Sequence, residues 1–240
     1  MAPCRASPRN SNMHSNVIAS GGSICKRSVG RQPQLTPKTV RLIQKRLARM
    51  LRVDQRIRRD IEYYQARAAA GGDSTDRRRL RHLRSAKEIS DPQHDAALAD
   101  IVASFGWPRV SIFGAAAANA AFVLALHVES LPRQRAWLRL LEKADRAGDA
   151  DRFHYCYLWD RVALRMKSKQ RFGTHFVSLK SNDWTLLPVE SIRRANKLRH
   201  ERGLRSVEEE IRQYKLFYGR LKRAHEQSSR DLRRSVSGDA

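Results

Sequence analysis

The sequence predicts a mainly α fold, a single helical domain with one small β-hairpin. Apolar residues recur at alternating steps of three and four along most of the chain, which is the period of an amphipathic helix. The period changes to two only near residues 171–188, and this change predicts the hairpin. A hydrophobic fraction of 41% over 240 residues is enough to form a core. We expect the domain to cover residues 35–225, between a basic leader (1–34) and a polar tail (226–240).

The charge of the chain is strongly basic but unevenly distributed. The net charge is +24, and residues 1–90 have 15 more Lys and Arg than Asp and Glu, whereas residues 91–188 have only 3 more. Residues 1–34 contain no continuous apolar segment of the kind found in signal peptides, so they predict a disordered basic leader, in which Met13 is an alternative start. The three widely spaced cysteines indicate neither a disulfide framework nor a zinc knuckle, which favours a reducing, cytoplasmic compartment.

The first predicted helix begins at Thr36 and Pro37, a capping residue followed by a favoured first residue. Its inward stripe is apolar or aromatic at seven of eight positions: Val40, Ile43, Leu47, Met50, Asp54, Ile57, Ile61 and Tyr64. A buried carboxylate at Asp54 needs a partner, and Arg58 lies four residues on. The alternative is a weak solvent-exposed pair, which this segment alone slightly favours.

The next segments predict a loop, a short basic helix, and a separate helix that begins at Asp91 and Pro92 and ends at Gly106. Residues 110–128 then form the most apolar run of the chain. Its alanines, the central Asn119 and the closing His127 favour the core helix of a soluble bundle, so no membrane span is expected.

The second half predicts a helix that opens at Pro132 and ends at Gly148, and another that Asp151 caps. After the hairpin, two helices close the chain. One runs from 191 to 202, and the other begins with a capping box at Ser206.

Several short motifs, none of them specific alone, occur in an order and spacing that resemble a known family. They are DQRIR (54–58), FGWP (105–108), LHVE (126–129) with Gln134, LWDRV (158–162), QRFGTH (170–175) and Arg199 ahead of RGL (202–204). This set resembles the domain of unknown function 6624 family, an uncharacterised and mostly bacterial family, over roughly residues 40–215. The resemblance implies a Gly-Trp-Pro corner, an Asp-Arg pair and a Gln-x-Tyr-Gly-Thr-Gln turn, but no reaction. This chain departs from the expected pattern at Leu126, Glu129, Phe172 and His175.

The polar residues of these motifs form a candidate site if the Ala-rich helix is central. In this hypothesis His127 is the general base and Asp160 orients it. Arg58 and Arg161 hold an anionic group by forked hydrogen bonds. The further ligand-binding candidates are Asp54, Gln170, Gly173, Thr174 and Arg199. The expected ligand is a small anion, and the expected chemistry is metal-independent hydrolysis or transfer.

Two alternatives stay open. The polar set can be a buried network that fixes how the helices and the hairpin meet, with no ligand. The chain can also be a non-enzymatic basic protein that binds nucleic acid non-specifically through its N-terminal region. No cofactor is predicted, and no zinc, Ser-nucleophile or phosphate-loop motif is found in the sequence.

Overall fold

The computed structural model describes residues 35–69, 71–180 and 183–216, which all belong to one compact unit. The leader at 1–34 and the tail at 226–240 lie outside the described residues. The fold is mainly α with one small hairpin, as the periodicity predicts. In chain order the elements are α1 (Pro37–Ala69), α2 (Ser74–Phe105), α3 (Val110–His127), α4 (Leu131–Arg146), α5 (Arg152–Arg165), β1 (Phe176–Lys180), β2 (Asp183–Leu186), α6 (Ile192–Glu201) and α7 (207–216).

Helices α1 and α2 are the two longest helices of the described structure, and they pack against each other and against α3. The inward stripe of α1 is buried at Ile43, Leu47, Met50 and Asp54. The structure corrects the expectation of two separate helices between residues 74 and 105, because α2 is continuous and contains Pro92. Proline in a helix interior costs about 3 kcal/mol. Packing of α2 against α1 along this segment and the ion pairs at Asp91 offset that cost.

Helix α3 is the central helix and contacts α1, α2, α4 and α5. Eight of its 18 residues are buried, and five of those eight are alanines, so neighbouring backbones approach closely. By length and composition alone α3 is apolar enough to cross a membrane, a test that the core helix of a soluble protein also passes. The helix is interrupted at Gly114, which has φ +75°, and Gln44 of α1 donates to the Phe113 carbonyl at this kink (2.9 Å).

The remaining caps follow the sequence signals. Ser130 and Asp151 accept backbone N–H bonds at the first turns of α4 and α5. Ser206 and Glu209 form the predicted capping box, since each backbone N–H donates to the other side chain. The hairpin is shorter than predicted, because residues 171–175 form a turn that precedes β1 rather than part of the strand.

Candidate functional site

His127 lies at the C-terminal end of α3, and two side chains from other helices hold this end in place. Gln134 of α4 is fully buried and donates to the carbonyls of Ala125 (2.8 Å) and Leu126 (3.3 Å). Arg165 of α5 donates to the Val128 carbonyl (2.7 Å) and to Gln134 Oε1 (3.0 Å). The last carbonyls of a helix have no partner within the helix, so these donors fix the position of His127.

Asp54 of α1 is the carboxylate that contacts His127. The Nδ1 atom of His127 lies 3.0 Å from both carboxylate oxygens of Asp54, whose side chain has no exposed surface. Arg58 Nε and Gln55 Nε2 also donate to this carboxylate, at 2.8 and 2.9 Å. Burial alone would raise the pKa of Asp54, but the contacts with His127 and Arg58 outweigh it and lower the pKa to about 2. Asp54 and Arg58 therefore form a pair between a buried carboxylate and a half-buried arginine, not the exposed pair that the sequence slightly favoured.

The network continues from α1 to α2. Arg58 Nη2 lies 3.0 Å from both oxygens of Asp91, and Lys87 lies 2.9 Å from the same carboxylate. Asp91 was expected to begin a helix, whereas it lies inside α2 and pairs across the helix interface. Arg58 thus donates to two carboxylates, and its role in holding an anionic group in the cleft stays a prediction.

A cleft of about 510 Å³ opens next to His127. Its walls combine charged, aromatic and hydroxyl groups from both halves of the domain: Arg58, Ile61, Glu62, Lys87, Leu126, His127, Tyr157, Arg161, Thr174, His175, Phe176 and Tyr214. Leu126 and His175, two positions at which the chain departs from the expected family pattern, lie in this wall.

Arg161 is a cationic side chain on the cleft wall. It is exposed, and it makes no hydrogen bond and no ion pair within the described residues. The surrounding protein lowers the pKa of Arg161, and the positive charges of Arg165 and Arg58 lower it further. The guanidinium remains charged at any physiological pH, so this corner of the cleft has a positive charge that forms no ion pair within the described part of the chain.

Asp160 lies on α5 and binds the turn at residues 171–174. Its Oδ1 accepts the N–H groups of Arg171 (2.8 Å) and Phe172 (3.0 Å), and its Oδ2 accepts the N–H (3.0 Å) and hydroxyl (2.9 Å) of Thr174. The side chain is fully buried. Burial raises the pKa of Asp160, and these hydrogen bonds oppose the rise. The structure therefore corrects the expected pairing, because His127 contacts Asp54, while the hydrogen bonds of Asp160 within the described residues all go to the turn.

Gln170 and Gly173 complete the same turn. The amide of Gln170 is fully buried, donates to the carbonyls of His175 (3.1 Å) and Leu187 (2.9 Å), and accepts the His175 N–H (2.7 Å). Gly173 has φ +63°, and a Cβ there would lie 3.0 Å from Val207 Cγ2. Glycine is required for backbone conformation and packing rather than for contact with a ligand.

Arg199 of α6 also binds the turn, through backbone carbonyl groups. Its guanidinium donates to the carbonyls of Phe172 (3.1 Å), Gly173 (3.2 Å) and Arg205, and it pairs with Glu210 (3.2 Å). The side chain is only 1% exposed. Of the nine predicted site residues, the structure places Arg58, His127, Arg161 and Thr174 on the cleft wall, and Asp54 directly behind His127. It gives Asp160, Gln170, Gly173 and Arg199 protein partners that build the adjacent turn.

Sequence reasoning missed Lys87 and the role of Asp91, although their spacing of four residues on a helix is a signal for a charge pair. It also missed His94, whose pKa burial lowers against the opposing negative charges of Asp54 and Asp91. Among residues 35–69, 71–180 and 183–216, no group of three His, Cys, Asp or Glu side chains is arranged to hold a metal ion.

Comparison with known proteins identifies a family. The model of a family of unknown function (DUF6624) matches residues 41–223. No curated protein and no solved structure matches the chain. Because the family model covers well over half of the sequence, the chain belongs to the DUF6624 family.

Proposed function

We propose that the cleft binds a small anionic ligand through Arg161 and that His127 acts on this ligand as a general base. One observation carries the proposal. An arginine that has no hydrogen-bond or ion-pair partner among the described residues and a histidine oriented by a buried carboxylate line the same cleft. The ligand class is a phosphorylated or carboxylated small molecule, and the reaction class is hydrolysis or group transfer.

The need for an anion follows from the charges around Arg161. Arg58 and Arg165 lie close enough to lower its pKa, yet each of them has its own protein acceptors. An anion in the cleft would accept the forked N–H groups of Arg161 and reduce the repulsion among the three guanidinium groups. Glu62 also lines the cleft, and it forms no ion pair with Arg161 in the described part of the chain.

The base role follows from the contacts of His127. Its Nδ1 is held by Asp54, and its Nε2 has no hydrogen-bond partner among the described residues. With the proton on Nδ1, the lone pair of Nε2 is available to remove a proton from a water or hydroxyl nucleophile as the nucleophile forms its new bond. The Asp54 carboxylate then stabilises the imidazolium. The electron pair of the broken bond leaves with the departing group.

The size and lining of the cleft fit a small organic anion. Its volume of about 510 Å³ lies in the range of small-molecule sites. Tyr157, Phe176 and Tyr214 form an aromatic part of the wall, while the charged groups lie around Arg58 and Arg161. A ligand with one anionic group and one apolar or aromatic part would use both regions.

Binding is tested by titrating inorganic phosphate into the wild-type protein and into Arg161→Gln, with isothermal calorimetry and thermal denaturation. Loss of charge-assisted hydrogen bonds is expected to weaken phosphate binding about tenfold or more. Arg139→Gln is the matched control, because Arg139 is an exposed arginine on α4 with no ion pair in the described residues. Equal phosphate affinity in wild type and Arg161→Gln, or an equal loss in the control, would remove the proposed anion site.

The base role is tested with a panel of p-nitrophenyl phosphate and carboxylate esters. Turnover by the wild type is expected to fall about a hundredfold or more in His127→Gln. Phosphate affinity is measured in parallel, since loss of turnover with retained binding separates the base from the anion site. Turnover that is equal in His127→Gln would contradict the general-base role.

A further inference from the structure

Helix α1 has a row of basic side chains on its outer face, away from the cleft. The row, here called the basic stripe, consists of Arg41, Lys45, Arg49, Arg52, Arg56 and Arg59, all of them exposed. The steps between them are three or four residues, so the six side chains lie within an arc of about 80° around the helix. With a rise of 1.5 Å per residue, the stripe is about 27 Å long.

The stripe lies on the solvent side of a helix that the core holds rigid. The buried residues of α1 are Ile43, Leu47, Met50 and Asp54, and they point in roughly the opposite direction from the stripe. Helix α1 packs against both α2 and α3. The cations therefore form a row along the outer face of a helix that is packed against the rest of the domain.

The stripe has little internal charge compensation. Arg56 lies 4.0 Å from Asp60 in an exposed pair, and the other five members form no ion pair within the described residues. Helix α1 contains ten Lys and Arg residues but only three Asp and Glu residues. One of these three, Asp54, is buried on the inner side of the helix. Like charges three and four residues apart repel each other, so an extended polyanion would stabilise this face.

A nucleic-acid duplex fits the stripe better than the other large polyanions. A duplex is a rigid rod with a phosphate charge about every 1.7 Å, so a straight row of cations can contact several phosphates at once. Single-strand binders also present aromatic side chains on which bases stack, and residues 41–59 contain no aromatic residue. A helix that lies on a membrane inserts its apolar face into lipid, whereas the apolar face of α1 lies in the protein core.

We propose that the basic stripe of α1 is a sequence-independent binding surface for the phosphate backbone of duplex nucleic acid. This surface is independent of the cleft, and neither proposal depends on the other. It narrows the expectation that the N-terminal region binds nucleic acid to one face of α1, while residues 1–34 lie outside the described structure.

The test compares two triple variants of the full chain with equal changes in net charge. Arg49→Gln/Arg52→Gln/Arg59→Gln removes half of the stripe, and none of these three residues has an ion pair in the described part of the chain. Arg135→Gln/Arg139→Gln/Lys143→Gln is the control, because these residues form a short exposed basic row on α4. Binding to a labelled DNA duplex of mixed sequence, about 20 base pairs long, is measured between about 0.05 and 0.2 M salt.

The stripe variant is expected to lose about tenfold or more in affinity at about 0.1 M salt, and its log–log salt slope is expected to fall by about 2 to 3. The control is expected to stay within about threefold of wild type. Thermal denaturation verifies that both variants are folded. Equal losses in the two variants would assign binding to net charge alone, and no loss in either would assign it to another segment, so both results overturn the proposal.

Two further measurements separate the duplex from other partners. Tighter binding of the matching single strand than of the duplex would overturn the choice of duplex. The second measurement tests a membrane partner: the same variants are sedimented with vesicles of phosphatidylcholine and phosphatidylserine. If the stripe variant loses vesicle binding while it keeps duplex affinity, the surface binds membranes and the proposal fails.

Discussion

His127 Nδ1 lies 3.0 Å from Asp54, a contact that joins the end of α3 to the middle of α1 across 73 positions of sequence. The carboxylate is fully buried, and Arg58 is its charged partner. The contact with His127 gives the imidazole a fixed orientation, and it places a buried carboxylate inside the α1–α3 interface. The contact therefore has consequences both for stability and for the tautomer of His127.

Asp54→Asn is expected to lower the free energy of unfolding by about 2–3 kcal/mol, because Arg58 and His127 lose their buried anionic partner. Urea denaturation at neutral pH measures the loss. Asp60→Asn is the control on the same helix, since Asp60 forms only an exposed pair at 4.0 Å, and a change within about 0.5 kcal/mol is expected there.

Asp54→Asn is also expected to release the tautomer of His127. In the wild type the carboxylate requires a proton on Nδ1. An asparagine amide can accept or donate, so both tautomers become accessible. Nitrogen NMR of the imidazole distinguishes the two, and an unchanged spectrum in Asp54→Asn would show that the carboxylate does not fix the tautomer.

Asp160→Asn is expected to cost about 2–4 kcal/mol, because the new Nδ2 group would face the N–H of Thr174 and leave that donor unsatisfied in a buried turn. Hydrogen exchange of the Arg171, Phe172 and Thr174 amides gives a local readout, and their protection is expected to fall more than that of the α3 core. Asp100→Asn, at an exposed position of α2, serves as the control. Unchanged protection of the three amides would contradict the role assigned to Asp160.

Gly173→Ala separates packing from backbone strain. At φ +63° the alanine is strained, and its Cβ would also lie 3.0 Å from Val207 Cγ2. Gly148 has a similar φ of +67° with nothing within 4 Å of a built Cβ, so Gly148→Ala measures the strain alone. We expect about 1 kcal/mol for Gly148→Ala and about 2–3 kcal/mol for Gly173→Ala by urea denaturation. Equal costs would show that Val207 moves aside.

The sequence predicted the helices, their caps and the hairpin because these depend on local spacing. It also identified four residues of the cleft wall and most polar residues of the turn, since polar residues at core positions are conspicuous. It could not predict which carboxylate contacts His127, because Asp54 and Asp160 are both compatible with the pattern and only the packing of α1 on α3 decides. The continuity of α2 through Pro92 was missed for the same reason, since contacts with α1 outweigh the local effect of proline.

His154 gives the chain a pH-dependent stability. The ring is 5% exposed and stacks on Phe122 at a centroid distance of 4.1 Å, and its Nε2 lies 3.3 Å from Asn119 Oδ1. Burial lowers the pKa of His154 from 6.5 to about 4, against the opposing charge of Asp151. Between these two pH values the unfolded chain binds a proton that the folded chain does not, so stability is complete above pH 6.5 and is lost as the pH falls toward 4.

His154→Phe is expected to keep the ring stack on Phe122 and to remove this titration. Urea denaturation from pH 7 to pH 4 is expected to show a wild-type loss that exceeds the loss of the variant by about 3 kcal/mol. His94 and His175, whose pKa values burial also lowers, add to the slope in both proteins, so the difference between the two curves is the relevant quantity. Because the pKa of Asp54 is about 2, its own contribution falls below this window. Parallel curves for wild type and His154→Phe would mean that His154 takes up its proton without leaving the core.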